Sequence, residues 1–174
     1  VKGVQAPNNE ITMVDDYSNG KVLISKQDIL GNELEGAKLK VTGTQDNGTA
    51  IQAIEWESDG KAAKQLDLKP GKYKLEETFA PEGYVVATAV DFTVKTDGTV
   101  EVHGITAPNN LIELIDDYED VEVEISKEDI LGNEIKDAVL EVTGTETGVG
   151  KMKAISWTSD GTAHQLNLKP GTYT

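Results

Sequence analysis

A lysine, a glutamate and an aspartate each end a stripe of apolar residues in this chain. Alternate side chains of a strand point to opposite faces of a sheet. In Lys72-Tyr-Lys-Leu-Glu-Glu77, Tyr73, Leu75 and Glu77 are in phase, while Lys72, Lys74 and Glu76 point the other way. In Ile112-Glu-Leu-Ile-Asp116, Ile112, Leu114 and Asp116 share a face, leaving Glu113 and Asp117 for solvent. Val22, Ile24 and Lys26 share one as well, and the same pattern returns more cleanly in Val121-Glu-Val-Glu-Ile-Ser-Lys127. One inward charge at a strand end can still reach water. Three in one unit call for pairing or neutralisation, because an isolated buried charge is costly and burial disfavours the charged form of amine and carboxyl alike. An amine without its proton is a nucleophile. The expected chemistry is a condensation in which Lys26 attacks the side-chain carboxyl carbon of Asp116 while protonated Glu77 shuttles protons and donates a hydrogen bond. Water leaves and an isopeptide bond remains. Holding the partners in a desolvated site corresponds to effective molarities of about 10⁵ M or more, and a carboxyl of raised pKa suits the acid–base role. Such a reaction turns over once, so it is self-processing and not an enzyme activity.

The elements that would carry these residues are short strands. Period-2 alternation dominates, broken by turn signals at Asp46-Asn-Gly48, Ser58-Asp-Gly60, Lys69-Pro-Gly71 and Thr96-Asp-Gly98. Strands are expected near 21–26, 37–42, 50–56, 64–68, 72–77, 85–95, 99–103 and 111–116, folding as a small antiparallel β-sandwich with Trp56, Tyr73 and Phe92 in its core.

The chain also repeats itself. Ile24-Ser-Lys-Gln-Asp-Ile-Leu-Gly-Asn-Glu33 returns as Ile125-Ser-Lys-Glu-Asp-Ile-Leu-Gly-Asn-Glu134, a spacing of 127 − 26 = 101 residues, and Trp56 returns as Trp157. A period this long belongs to whole domains on a string, not to solenoid units of roughly 20–50 residues. The division is residues 1–17 as the C-terminal strand of a preceding repeat, 18–118 as one complete domain, and 119–174 as the N-terminal part of a following, incomplete repeat. Asp15 and Lys127 are then unpaired equivalents of Asp116 and Lys26. They are expected to stay unreacted within one chain, with head-to-tail association through Asp15 left open.

Composition narrows the function classes. Sixteen basic residues, all lysine, face thirty-one Asp plus Glu for a net charge of −15, which opposes nucleic-acid binding. There is no cysteine, so disulfides and thiolate chemistry are excluded. No apolar run approaches the roughly 20 residues of a membrane span, and targeting segments are expected to lie outside this stretch. His103 and His164 have no serine or acid placed to complete a hydrolase triad. The acids Asp116, Asp117, Glu119 and Asp120 lack the spacing of an EF-hand and read as a solvated linker. Asp28-Ile-Leu-Gly-Asn-Glu33 reads as a hairpin turn, not a metal loop. No cofactor or metal is called for.

The complete repeat resembles the CnaB, or SpaA-like, B-type repeat domains of collagen adhesins, found in Gram-positive surface adhesins and pilins. The resemblance rests on Ile24-Ser-Lys26-Gln-Asp28 with Gly36-Ala37, on Tyr73-Lys-Leu-Glu-Glu77-Thr-Phe-Ala-Pro81-Glu-Gly-Tyr84, and on Ile112-Glu-Leu-Ile-Asp116-Asp-Tyr118. The middle stretch is similar to the family's glutamate box, and counting back from Ala80-Pro81 places its glutamate on Glu77. Within the family the likeness is strongest to the fibronectin-binding branch, which uses aspartate where many relatives use asparagine. The resemblance implies an Ig-like or prealbumin-like β-sandwich, a reactive trio at Lys26, Glu77 and Asp116, and an extracellular, wall-attached setting. Asn109 and Asn110 are alternative acceptors by the family's habit, but they precede the apolar stripe and suit a turn. Two functions follow. One is a structural spacer of a wall-attached adhesin or pilus, with neighbouring repeats as partners and any host matrix protein bound by other domains. The alternative is a module that itself contacts a host matrix protein or glycan. Near-identical repeats favour the spacer.

Overall fold

The computed structural model describes residue 13 and residues 15–174. Ten strands build the first unit: β1 (Gly20–Asp28), β2 (Glu35–Gln45), β3 (Ile54–Asp59), β4 (Lys64–Leu68), β5 (Gly71–Phe79), β6 (Tyr84–Val85), β7 (Val90–Val94), β8 (Val100–Val102), β9 (Ile105–Thr106) and β10 (Leu111–Tyr118). They form a four-stranded sheet in the order β4-β1-β10-β6 and a six-stranded sheet in the order β3-β2-β5-β7-β8-β9. The apolar residues of both sheets meet in one core: Val22, Ile24, Leu66, Leu68, Ile112 and Leu114 from the first, and Leu39, Val41, Tyr73, Leu75, Phe92, Val94 and Val100 from the second. Tyr73 and Phe92 stack with centroids 5.4 Å apart. Trp56 packs against the core from a half-buried position at the β3 edge of its sheet.

The alternation read from sequence matches this burial. Inward residues of β5 run Tyr73, Leu75, Glu77 and those of β10 run Ile112, Leu114, Asp116. Three features differ from the expected strand list. The run 85–95 is two strands separated by residues 86–89, β3 starts at Ile54 and not near 50, and a short β9 precedes the last strand. The sandwich is also not wholly antiparallel, since β10 lies parallel to β1 with Lys26 opposite Leu114 and Asp28 opposite Asp116. A parallel neighbour requires a crossover, and the chain supplies one by passing through the whole six-stranded sheet before returning beside β1.

Asn110 fixes the start of that return. The 3₁₀ turn Pro108–Asn110 leads into β10, with Asn110 at φ 58°. Its side-chain amide donates to the carbonyls of Lys21 (3.0 Å) and Gly98 (2.9 Å) and accepts from the Val100 N–H (3.0 Å). Asparagine tolerates this left-handed backbone, and its short amide can tie three strand ends at once.

Residues 121–173 form a second, smaller set of strands: β11 (Val121–Ile125), β12 (Lys136–Val142), β13 (Gly144–Glu146), β14 (Gly150–Lys151), β15 (Ile155–Asp160), β16 (His164–Leu168) and β17 (Gly171–Tyr173). β11 pairs with β16 as β1 pairs with β4, Val121 opposite Leu168 where Gly20 is opposite Leu68. Val142, Leu166 and Leu168 are its buried apolar residues, with Trp157 and Tyr173 packed against them. Among the described residues no helix is long and apolar enough to cross a membrane.

Candidate functional site

Lys26, Glu77 and Asp116 come together at one end of the sandwich. Lys26 and Asp116 project from the neighbouring strands β1 and β10, and Glu77 reaches them from β5 of the opposite sheet. All three side chains are sealed, with 1% of Lys26 and 0% of Glu77 and Asp116 exposed. The Lys26 ammonium nitrogen forms a close ion pair with Asp116 Oδ1 and lies 3.6 Å from Glu77 Oε1. It is also 3.4 Å from the carbonyl oxygen of Leu114, its partner across the β1–β10 ladder. Parallel pairing is what makes this contact possible. It sets Leu114 opposite Lys26 and places Asp116 two residues further on, on the same face and in the direction the lysine chain extends.

Glu77 is anchored from one side only. The N–H of Ala87, in the break between β6 and β7, donates to Glu77 Oε2 at 2.6 Å. Glu77 Oε1 and both carboxylate oxygens of Asp116 are buried, and among the described residues no donor besides the Lys26 ammonium reaches them. Burial pushes the Glu77 carboxyl up, with the facing Asp116 carboxyl as the second cause, to about 7, against the opposing pull of the Ala87 N–H and Lys26. The group is therefore substantially protonated at neutral pH. A lysine nitrogen in contact with a carboxylate, a protonatable carboxyl beside both and a site closed to solvent are the components an amide condensation needs.

Sequence reasoning missed Ala87 and Leu114 as parts of this site because they contribute backbone groups, which no side-chain pattern reveals. The signal for Ala87 was indirect: a strand expected through 85–95 is interrupted where its N–H turns to Glu77. Asn109 and Asn110 lie in the 3₁₀ turn that opens β10, with Asn110 fully engaged in holding strand ends.

The equivalents in the flanking segments are not assembled. Lys127 lies past the end of β11, half-buried, with its amine 3.4 Å from the Glu128 carbonyl. β11 has β16 on one side and no parallel partner among the described residues, so it stops at Ile125 while β1 continues to Asp28. Asp15 is exposed and in no strand, and of the expected C-terminal strand within residues 1–17, residues 1–12 and 14 lie outside the described residues.

The other polar candidates have structural roles. Asp28 accepts from the N–H groups of Leu30 and Asn32, both at 2.9 Å, and from the Asn32 amide at 3.0 Å, closing the hairpin turn expected there. Burial opposes its charge, but the hydrogen bonds from Asn32, Leu30 and Gly31 prevail and hold it below the usual carboxylate range. Asp129 closes the corresponding turn through Leu131 and Asn133. The acidic run at 116–120 is divided, with Asp116 turned into the core and Asp117 and Asp120 turned to Lys169. His164 stacks on Trp157 with centroids 4.5 Å apart.

Among solved structures, the chain is similar to the C-terminal fragment of the pilus adhesin SpaC from Lactobacillus rhamnosus GG, at 17% identity and TM-score 0.44, covering 91% of this chain and 73% of that one. It is similar to the pilus-presented adhesin Spy0125 (Cpa) at 24% identity and TM-score 0.44, over 85% of this chain and 31% of that one. For the TIE protein of Bacillus anthracis the values are 25%, 0.45, 90% and 28%. No curated protein sequence matches. A family model does match, over residues 20–107, which takes in Lys26 and Glu77 and stops short of β10 and Asp116. By that match, which spans half of its length, the chain belongs to the SpaA family of prealbumin-like fold domains.

Proposed function

We propose that this chain is a load-bearing spacer of a wall-attached bacterial surface protein, and that its complete domain locks itself by an amide between Lys26 Nζ and Asp116 Cγ. The observation that carries the reading is the sealed contact of these two groups beside Glu77. Proton transfer within the trio leaves a neutral amine and a protonated Asp116 carboxyl. The amine nitrogen attacks Asp116 Cγ, and the Glu77 carboxyl gives its proton to the departing hydroxyl and takes one from nitrogen in return. One C–N bond forms, one C–O bond breaks and one water leaves, with Glu77 restored.

The spacer role is supported by membership of the SpaA family, by the repetition of the Ile-Ser-Lys motif and strand pairing in residues 121–173, and by the net charge of −15, which suits a solvated extracellular surface. The test is the intact mass of the unfolded chain with a digest to find branched peptides. Loss of one water mapped to Lys26 and Asp116 is the expected result. Loss of ammonia would move the acceptor to an asparagine, and an unaltered mass would leave an uncross-linked sandwich and favour a binding module.

A further inference from the structure

The junction after the complete domain is built from two contacts. Lys169, in the loop between β16 and β17, reaches back so that its amine lies 2.8 Å from Asp117 Oδ2, 3.2 Å from the Tyr118 carbonyl oxygen and 3.8 Å from Asp120 Oδ1. These groups sit at the end of β10 and just beyond it, so one lysine ties the following segment to the last strand of the domain. On the other side, the β13–β14 hairpin rests on Ile29, in the turn after β1. A Cβ added at Gly148 would lie 2.5 Å from Ile29 Cγ2 and 3.2 Å from Cγ1, and Gly148 has φ +77°, so this close seat favours glycine twice over.

The ionic half of this arrangement occurs twice. Lys69, the counterpart of Lys169, holds Asp16 Oδ2 at 2.8 Å and makes a short contact with the Tyr17 carbonyl. In both places a tyrosine two residues past a Pro-Gly pins the lysine's own backbone: Tyr73 donates to the Lys69 carbonyl at 2.7 Å and Tyr173 to the Lys169 carbonyl at 2.6 Å. The apolar half leaves its mark by difference. Ile29 is half-buried under the hairpin, whereas Ile130, its counterpart in the following segment, is 100% exposed and Leu131 beside it 82% exposed.

We propose that these contacts form a standing joint that fixes the angle between consecutive units, and that Ile130-Leu131 is the seat for the equivalent hairpin of a further unit of the same kind. The inference rests on the spacer reading and adds its mechanical consequence: the units form a jointed rod of set geometry, not beads on a free tether. An exposed ion pair alone is weak and screened by salt. Here it is seconded by a backbone acceptor, a pinned lysine backbone and an apolar seat on the opposite side.

The absence of cysteine makes the test direct. Nitroxide labels at Lys61→Cys and Lys153→Cys in the full chain report the distance distribution between the units by double electron–electron resonance. A narrow distribution is expected, widening about twofold toward the behaviour of independently moving domains when Lys169→Met and Ile29→Ala are combined. A broad distribution in the parent, or a narrow one unchanged in the double variant, overturns the joint. Intact mass of the same samples reads the cross-link separately. A narrow distribution in an uncross-linked chain keeps the joint and removes the cross-link, and a broad one in a cross-linked chain does the reverse.

Discussion

At the scale of residues, the site is a balance between three ionisable groups that cannot all be charged at low cost. A buried ion pair is weak evidence of stability, because desolvation offsets much of its Coulombic gain. Converting Lys26 and Asp116 to an amide removes two buried charges and leaves one neutral group. In the unreacted trio the Glu77 carboxyl is raised to about 7. Replacing it by Gln keeps shape and hydrogen-bonding capacity but removes the exchangeable proton. Glu77→Gln is expected to fold and to slow cross-linking by roughly 10²–10⁴-fold, the usual worth of general acid–base catalysis. Timed mass spectra of freshly translated chain, quenched in denaturant, measure this, and full cross-linking at the parent's rate would refute the assigned role. The raised pKa also sets a sign for stability. Between the ordinary value of 4.5 and about 7 the folded state holds a proton on Glu77 that the unfolded state has released, so stability falls as pH rises through this window. In Lys26→Met, which cannot react and lacks the ammonium that opposes the rise, the loss across the window is expected to be about 3 kcal/mol. Urea unfolding at pH 4.5, 6 and 7.5 checks it; stability rising over that range would contradict it.

At the scale of elements, the contact of Lys26 with Asp116 depends on the register of two strands that are first and last in the first unit. β1 and β10 have no hairpin to set their alignment, and a slip of one residue would turn Asp116 away from the core. Asn110 supplies the missing constraint by tying the entry of β10 to Lys21 of β1 and to the β7–β8 turn. Asn110→Ala leaves these backbone groups without their partner and is expected to cost about 1–3 kcal/mol. Thermal unfolding of the Glu77→Gln background, taken before it cross-links, with and without Asn110→Ala, gives that number. The same variant in an otherwise unaltered chain should also cross-link more slowly, because the loosened strand populates the aligned register less often. The interruption between β6 and β7 belongs to the same logic: its N–H groups leave the ladder, and that of Ala87 becomes the anchor of Glu77.

At the scale of the whole molecule, the proposed amide would close a loop of 116 − 26 = 90 residues, nearly all of the first sandwich. By the chain-entropy rule for cross-links, closing so long a loop stabilises by about 4.5 kcal/mol. The parent is expected to unfold on the order of 20 °C above the Glu77→Gln variant scanned before it cross-links, in matched thermal scans. A difference of only a few degrees would mean that the bond had not formed or did not constrain the unfolded chain. Much of the site is legible in the amino-acid sequence by itself. Period-2 phase puts Lys26, Glu77 and Asp116 on inward faces because alternation is a local property of extended backbone, and the turn at 28–33 is readable because Asp, Gly and Asn each act within a few residues. Three things are decided only by tertiary structure. The parallel pairing of β1 with β10 joins residues 88 apart, as Lys26 and Leu114 are, and no local pattern records which strand a chain will return beside. The break at 86–89 answers to a carboxylate on another strand. The contacts at Asp117 and Ile29 lie between units, so in sequence their residues look like an exposed linker and an ordinary turn. Local chemistry is written in neighbouring residues, whereas pairing, anchoring and docking depend on which distant surfaces the folded chain brings into contact.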